Sequence, residues 1–409
     1  MDSVNNPYTP NAGARPEVVV GREEQTAAFD ILLQRLARGR DSQSLIVTGL
    51  RGVGKTVLLN ELRDIALFHK WVVVEVEASK YSDEAFRRTL ASKIKSTLFQ
   101  LSPRTRWTKR FQRAASALSA FALSVNDSGT WTLGWDIPAS AGIADYGDLA
   151  LDLTDVLVEL GEAAKEASRG VVLSIDEVQF LKKPQLEALI QAIHKTVQRR
   201  LPITLVGAGL PQIAELAGDA KSYAERLFKF PSIGSLSEQD SREAISGPAR
   251  AEGIGWEPDA LEFALSITKG YPYFIQEFAH QTWEIAPGDS ITLIDAQMAV
   301  DPYEAKLDSS FFRVRLDRAT PLQTAYMRAM AQLGSLPQKA ADVAGLMGRE
   351  STQVAPTRAE LIDMGLLYTP EHGYAAFTVP DFDKYIMRAV PTLVVPQIRR
   401  RTRHSDSRR

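Results

Sequence analysis

Gly49-Leu50-Arg51-Gly52-Val53-Gly54-Lys55-Thr56 is the stretch on which the reading of the whole chain turns. It satisfies G-x-x-x-x-G-K-[ST], directly after the apolar run 44–48 and at the opening of a helix-patterned stretch from Lys55 to about Phe68. In that setting the amides of Gly49, Gly52, Val53 and Gly54 can turn inward around an anion, backed by the partial positive charge of a helix amino terminus. Lys55 adds a compact cation that reaches β- and γ-phosphate oxygens, and the Thr56 hydroxyl a ligand for magnesium. The expected occupants are ATP or ADP with Mg2+.

Further along, Val171-Val172-Leu173-Ser174-Ile175-Asp176-Glu177 is an apolar run that ends in two carboxylates. Taken alone, Asp176 would serve equally as a helix cap or turn former. Beside a phosphate loop, Asp176 is expected to hold magnesium, mostly through water, and Glu177 to orient and deprotonate an attacking water.

Three more β-rich runs, 71–76, 203–206 and 228–233, join 44–48 and 171–175, with helical patterning between them. Near-continuous apolar strands alternating with helices predict an α/β fold, a parallel five-stranded sheet covered on both faces. Residues 1–17 read as a flexible lead-in and 18–234 as the nucleotide-binding core. About 101–148, where Arg104, Arg106, Lys109, Arg110 and Arg113 surround Trp107 and Phe111, reads as an insertion. Residues 235–300 read as a small helical lid, 301–319 as a linker, 320–390 as a third unit and 391–409 as a basic tail.

The third unit shows helical spacing over 321–333, 339–347 and 352–364, the last two closed by Gly348 and Gly365. A two-stranded wing follows at 366–368 and 374–379. Three helices and a hairpin in that order outline a winged helix, whose third helix enters the DNA major groove in proteins that use it so. Arg349, Gln353, Thr357 and Arg358 would then face bases. That helix also carries Glu350 and Glu360, a thin electrostatic footprint for duplex DNA, so a docking surface for protein is the alternative.

The chain has no cysteine, which excludes disulfides, thiolate metal sites and cysteine nucleophiles and suits a reducing, cytoplasmic setting. No basic, then apolar, leader opens it, and its most apolar stretch, 114–125, is too short for a membrane span. The five histidines lack metal-ligand spacing.

The segment Val19-Val20-Gly21-Arg22-Glu23, the phosphate loop, the IDEVQ of 175–179 and the helical stretch after Ser235 resemble the AAA+ ATPases grouped with origin-recognition initiators, archaeal ATPases and STAND signalling ATPases. The resemblance implies that Val20, Gly21 and Arg22 lie near the adenine, and that Pro272, in Lys269-Gly270-Tyr271-Pro272-Tyr273, packs on the nucleotide from the lid. Arg226 matches an arginine that senses nucleotide or completes a neighbour's site in a homo-oligomer; pairing with a carbonyl at a helix end is its plainer use. The fourth strand ends Val206-Gly207-Ala208-Gly209, without the polar sensor common in the family. The resemblance therefore implies slow basal hydrolysis, in a DNA-associated ATPase or in a nucleotide-dependent switch acting on a protein partner.

Overall fold

Strands covered on both faces need apolar residues at nearly every position. β1 (Ser44–Thr48) is buried throughout, whereas β2 (Val72–Glu77) alternates buried and exposed positions. β3 (Val171–Asp176), β4 (Ile203–Gly209) and β5 (Phe228–Lys229) complete a parallel sheet in the order β2-β3-β4-β1-β5. The alternation in β2 follows from its place at the edge. The computed structural model describes residues 1–80, 82–123 and 133–397, and it divides into two units, Met1–Asp301 and Pro302–Arg409.

The first unit covers the sheet with α1 (Glu23–Ala37), α2 (Lys55–Phe68), α3 (Asp83–Leu101), α4 (Lys109–Leu123), α5 (Leu149–Glu166) and α6 (Lys183–Gln198). The short α7 (Ile213–Ala220) and α8 (Ala224–Leu227) lead into β5. Because β4 lies between β1 and β3, the carboxyl ends of β1 and β3 are two strand spacings apart, roughly 9–10 Å. That gap is where a phosphate loop on β1 can face an acidic pair on β3.

The described part of the expected insertion is built into the core. Phe111, Ala115, Leu118 and Phe121 of α4 are buried in the same cluster as α3 and α5. Two of its cations are spent locally, Arg110 on Glu162 at 2.8 Å and Arg113 on Glu159 at 3.0 Å, while Trp107 stacks on Phe99 and Phe111.

Beyond the sheet lie α9 (Glu238–Ala251), α10 (Pro258–Thr268), α11 (Pro272–Ile285) and α12 (Leu293–Met298). A two-residue parallel pair, β6 (Gly255–Trp256) and β7 (Ser290–Ile291), joins them. Residues 1–17, expected to be flexible, are tied down along these helices. The Met1 amino group donates to the Ala286 carbonyl, and Asn6 Nδ2 to Glu284 Oε1 at 2.8 Å. Tyr8 is 1% exposed; its hydroxyl donates to the Ile245 carbonyl and accepts from Trp256 Nε1 at 3.0 Å. Its ring meets Trp283 edge-on. Arg15 then reaches α2, pairing with Glu61 at 2.8 Å and Asp64 at 3.1 Å. A large aromatic that satisfies its polar tip while buried anchors a segment that composition alone marks as loose.

The second unit begins within α13 (Val300–Lys306), and a π-helical stretch, Leu307–Phe312, and α14 (Arg313–Leu316) follow, so the expected linker is largely helical. α15 (Pro321–Leu333) starts on a Thr320/Gln323 capping box. After β8 (Gln338–Lys339) come α16 (Ala340–Leu346), α17 (Ser351–Asp363), β9 (Leu367–Tyr368), β10 (Tyr374–Phe377) and α18 (Phe382–Ala389). The strands form an antiparallel sheet in the order β8-β10-β9. The arginine-rich tail from Arg399 onward lies outside the described residues.

Candidate functional site

The loop between β1 and α2 is shaped by glycine. Gly52 and Gly54 have φ of 85° and 89°, and a Cβ on Gly49 would meet the Ile233 carbonyl oxygen at 2.5 Å. Gly54 caps α2 in the left-handed conformation, which brings Lys55 into the first helical turn.

Lys55 is 7% exposed, and its ammonium donates to the loop's own carbonyls, Gly49 at 2.9 Å and Leu50 at 2.8 Å. Burial pushes it down from 10.5 to about 8; Glu177 and Asp176 pull it back up in part, and Arg51 adds to the fall. Carbonyl dipoles compensate a buried cation poorly, and an anion would compensate it fully.

The Thr56 hydroxyl donates to Asp176 Oδ2 at 2.6 Å, bridging 120 residues of sequence and the gap between the two strand ends. Asp176 Oδ1 accepts the Glu177 amide at 2.7 Å, so the carboxylate is oriented at both oxygens. Glu177 sits in the left-handed region, φ 53°, a conformation costly for a side chain that bears a Cβ. Its Oε1 lies 3.7 Å from Arg51 Nη1, and its Oε2 accepts from Gln179 Nε2.

These groups suit a nucleotide with a divalent cation. A cradle of glycines surrounds an undercompensated buried ammonium, and a hydroxyl and a carboxylate 2.6 Å apart are hard oxygen donors. Among the described residues no cluster of three or more His, Cys, Asp or Glu could hold a metal by itself, so phosphate oxygens and water would supply the remaining ligands.

Residues 18–206 match the family model described as AAA ATPase domain, and residues 309–386 one described as Domain of unknown function (DUF8462). The fold is that of an AAA+ P-loop ATPase. A Walker-type ATPase of Pyrococcus abyssi superposes with a TM-score of 0.55 at 15% identity, covering 91% of this chain and 97% of that one. Cdc6p from Pyrobaculum aerophilum gives 0.47 at 13% identity over 95% and 97%. The Orc1 protein of Aeropyrum pernix, solved in complex with DNA, gives 0.44 at 15% over 91% and 94%. No curated protein matches the sequence.

Around this AAA+ core the structure places the remaining expected residues unevenly. Arg22 spends its guanidinium on backbone, donating to the carbonyls of Gly21 at 2.8 Å, Val53 at 3.0 Å and Gly234 at 3.0 Å. These bonds tie Arg22 to the β1–α2 loop at Val53 and to the chain after β5 at Gly234. Gly21, at φ 69°, lies so close to α9 that a Cβ would meet Asp240 Oδ2 at 2.9 Å. Val20, beside it, is half-buried. Pro272 opens α11 between two tyrosines that both reach the loop: the Tyr271 hydroxyl donates to the Arg51 carbonyl, and the Tyr273 amide to the Gly52 carbonyl at 3.1 Å.

Arg226 is not brought to this site. It is exposed on α8, just before Phe228, which pairs with Ser44 at the start of β1, whereas the loop follows the end of β1. The length of β1, about 13 Å, separates them within one chain.

The residues expected to face DNA differ as well. Thr357 is only 5% exposed and packs inward. Arg358 donates to the Tyr374 carbonyl at 2.6 Å and to Thr369 Oγ1 at 3.2 Å, and Arg349 to the Pro396 carbonyl. Gln353 stays exposed but caps its own helix, accepting the Glu350 amide at 3.1 Å.

Sequence reasoning missed Arg51, Gln179 and the two tyrosines as loop and acid partners. Arg51 occupies a variable position of the loop pattern, and the tyrosine contacts join parts of the chain about 220 residues apart. Gln179 was visible as the polar residue two past Glu177, a signal that spacing alone gives no role.

Proposed function

We propose that the chain is a magnesium-dependent ATP hydrolase that works slowly, as a nucleotide-controlled switch. The contact that carries this reading is the 2.6 Å hydrogen bond from Thr56 to Asp176, which joins the phosphate loop to the acidic strand end beside the buried Lys55. Bound Mg2+ would neutralise phosphate charge. Thr56 and Asp176 are the residues to hold it, Asp176 mostly through water. The loop amides and Lys55 take the β- and γ-phosphates. Glu177 accepts the proton of a water that attacks the γ-phosphorus; the bond from γ-phosphorus to the β–γ bridging oxygen breaks, and ADP and phosphate leave. The absence of a polar side chain at the end of β4, and the distance of Arg226 from its own chain's loop, support low basal turnover. In this reading Arg226 serves a neighbouring copy.

The helices α15, α16 and α17 together with strands β8, β9 and β10 support a winged helix in the second unit. A protein partner suits it better than duplex DNA, since the exposed positions of α17 are Ser351, Thr352, Gln353, Ala355, Pro356, Ala359, Glu360 and Asp363, without a cation. Duplex DNA is the second reading, favoured by the arginines of the tail, Arg399, Arg400, Arg401, Arg403, Arg408 and Arg409. The test is ATP hydrolysis by the native chain and by Glu177→Gln, with and without duplex DNA. Slow turnover abolished by Glu177→Gln and indifferent to DNA is expected. DNA stimulation at physiological salt would move the assignment to the second reading, and turnover unaffected by Glu177→Gln would overturn the hydrolytic one.

A further inference from the structure

Gln179 lies between two strand ends and holds a group on each. Its Nε2 donates to Glu177 Oε2, and its Oε1 accepts the amide of Leu210, the first residue past β4, at 3.0 Å. The space it fills exists because β4 ends in glycines. A Cβ at Gly209 would come within 2.9 Å of Gln179 Oε1, and one at Gly207 within 2.9 Å of Val178 Cγ2. The strand that lacks a polar side chain at its end therefore makes room for one arriving from the neighbouring strand.

Glu177 is thus gripped on both oxygens, by Arg51 on Oε1 and by Gln179 on Oε2, from a backbone conformation that turns it out of the β3 line. A carboxylate that must accept a proton from one water needs a fixed orientation, and a hydrogen bond to its second oxygen supplies that without neutralising it. Resting on the hydrolytic reading above, we propose that Gln179 is the positioning residue for Glu177, setting the carboxylate against the end of β4. It touches neither phosphate nor water in this role.

The discriminating variant is Gln179→Glu. It keeps the shape and an acceptor for the Leu210 amide, and as a carboxylate it has no proton to donate to Glu177. Single-turnover hydrolysis and the affinity for a fluorescent ATP analogue are measured for the native chain, Gln179→Glu, Gln179→Ala and Glu177→Gln, with thermal unfolding as the check on folding. Gln179→Glu should lose about tenfold or more in rate with nucleotide affinity changed by less than about threefold. Native-like rates in Gln179→Glu with a loss only in Gln179→Ala would reduce Gln179 to a support for Leu210 and overturn the proposal. A Glu177→Gln rate equal to the native one would instead remove the hydrolytic reading on which it rests.

Discussion

Nucleotide affinity should fall as pH rises above about 8, and Lys55 is the reason. Its ammonium is buried against two carbonyls and held down to about 8. Phosphate oxygens arriving at the loop would favour the charged form and raise it again. Below pH 8 the free protein already carries the proton, so binding costs no uptake and affinity sits on a plateau. Above pH 8 each binding event must take up a proton. Affinity then drops about tenfold by pH 9 and about thirtyfold by pH 9.5, the steepness of a single linked proton.

The same shift bears on stability with the opposite sense to an ion-paired lysine. The folded state disfavours the charge, so the unliganded protein is penalised wherever both states would be protonated. From 10.5 to about 8 this is on the order of 3 kcal/mol. The penalty is full below pH 8 and is relieved as pH climbs toward 10.5. The assay is ADP binding by calorimetry from pH 7.5 to 9.5 without added metal, so that only protein and nucleotide titrate, in the native chain and in Lys55→Met. Flat affinity across that range, or the same slope in Lys55→Met, would refute the placement of phosphates at Lys55.

The other expectations concern the parts that hold this site in place. Tyr8→Phe leaves the Ile245 carbonyl and the Trp256 indole N–H without their partner and should cost about 1–3 kcal/mol in chemical denaturation, whereas a flexible lead-in would show no change. Gly52→Val places a branched side chain at φ 85° and drives a Cβ to 3.1 Å from Tyr273 Cβ; nucleotide affinity by calorimetry should fall by at least about tenfold with the fold retained by circular dichroism. Tyr271→Phe removes the hydroxyl that donates to the Arg51 carbonyl, worth about 0.5–1.5 kcal/mol, and should speed release of a fluorescent ADP by about two- to tenfold in stopped flow. Arg226→Ala should leave the hydrolysis rate of dilute protein unchanged and abolish any rise in specific activity with concentration; a loss at high dilution would show that the arginine acts within its own chain.

The sheet and the site were legible to different depths. β1 and β3 could be placed because burial on both faces leaves a continuous apolar signature, and the loop because its glycines and lysine are required by geometry that few other structures share. α15 was readable through its capping residues and apolar spacing. The order β2-β3-β4-β1-β5 is a tertiary fact, carried by interstrand pairing that no local pattern encodes. The docking of 1–17 was invisible because the one buried aromatic in it is Tyr8, and a lone tyrosine among Asn and Pro has the same sequence signature buried or exposed. Arg349, Thr357 and Arg358 show the converse. A residue at a helical position that should face a groove can instead be drawn to a carbonyl or to the core when the neighbouring strand or the chain after α18 offers one.

Arg51 links the start of α11 to Glu177 within this unit. Its carbonyl accepts the Tyr271 hydroxyl from the start of α11, and its guanidinium lies 3.7 Å from Glu177 and over the ring of Phe180 at 6.0 Å. The next residue's carbonyl accepts the Tyr273 amide, at the amino terminus of α11 where the helix itself supplies no acceptor. Loop residues 51 and 52 thus supply acceptors to α11 with their backbone and a cation to the Glu177 carboxylate with a side chain. A displacement of α11 must either break two hydrogen bonds or carry Arg51 with it, and the second course alters the charge beside Glu177. Since the strap of residues 1–17 binds both α11 and α2, the position of α11, the loop's shape and the setting of Glu177 are constrained by one connected set of contacts.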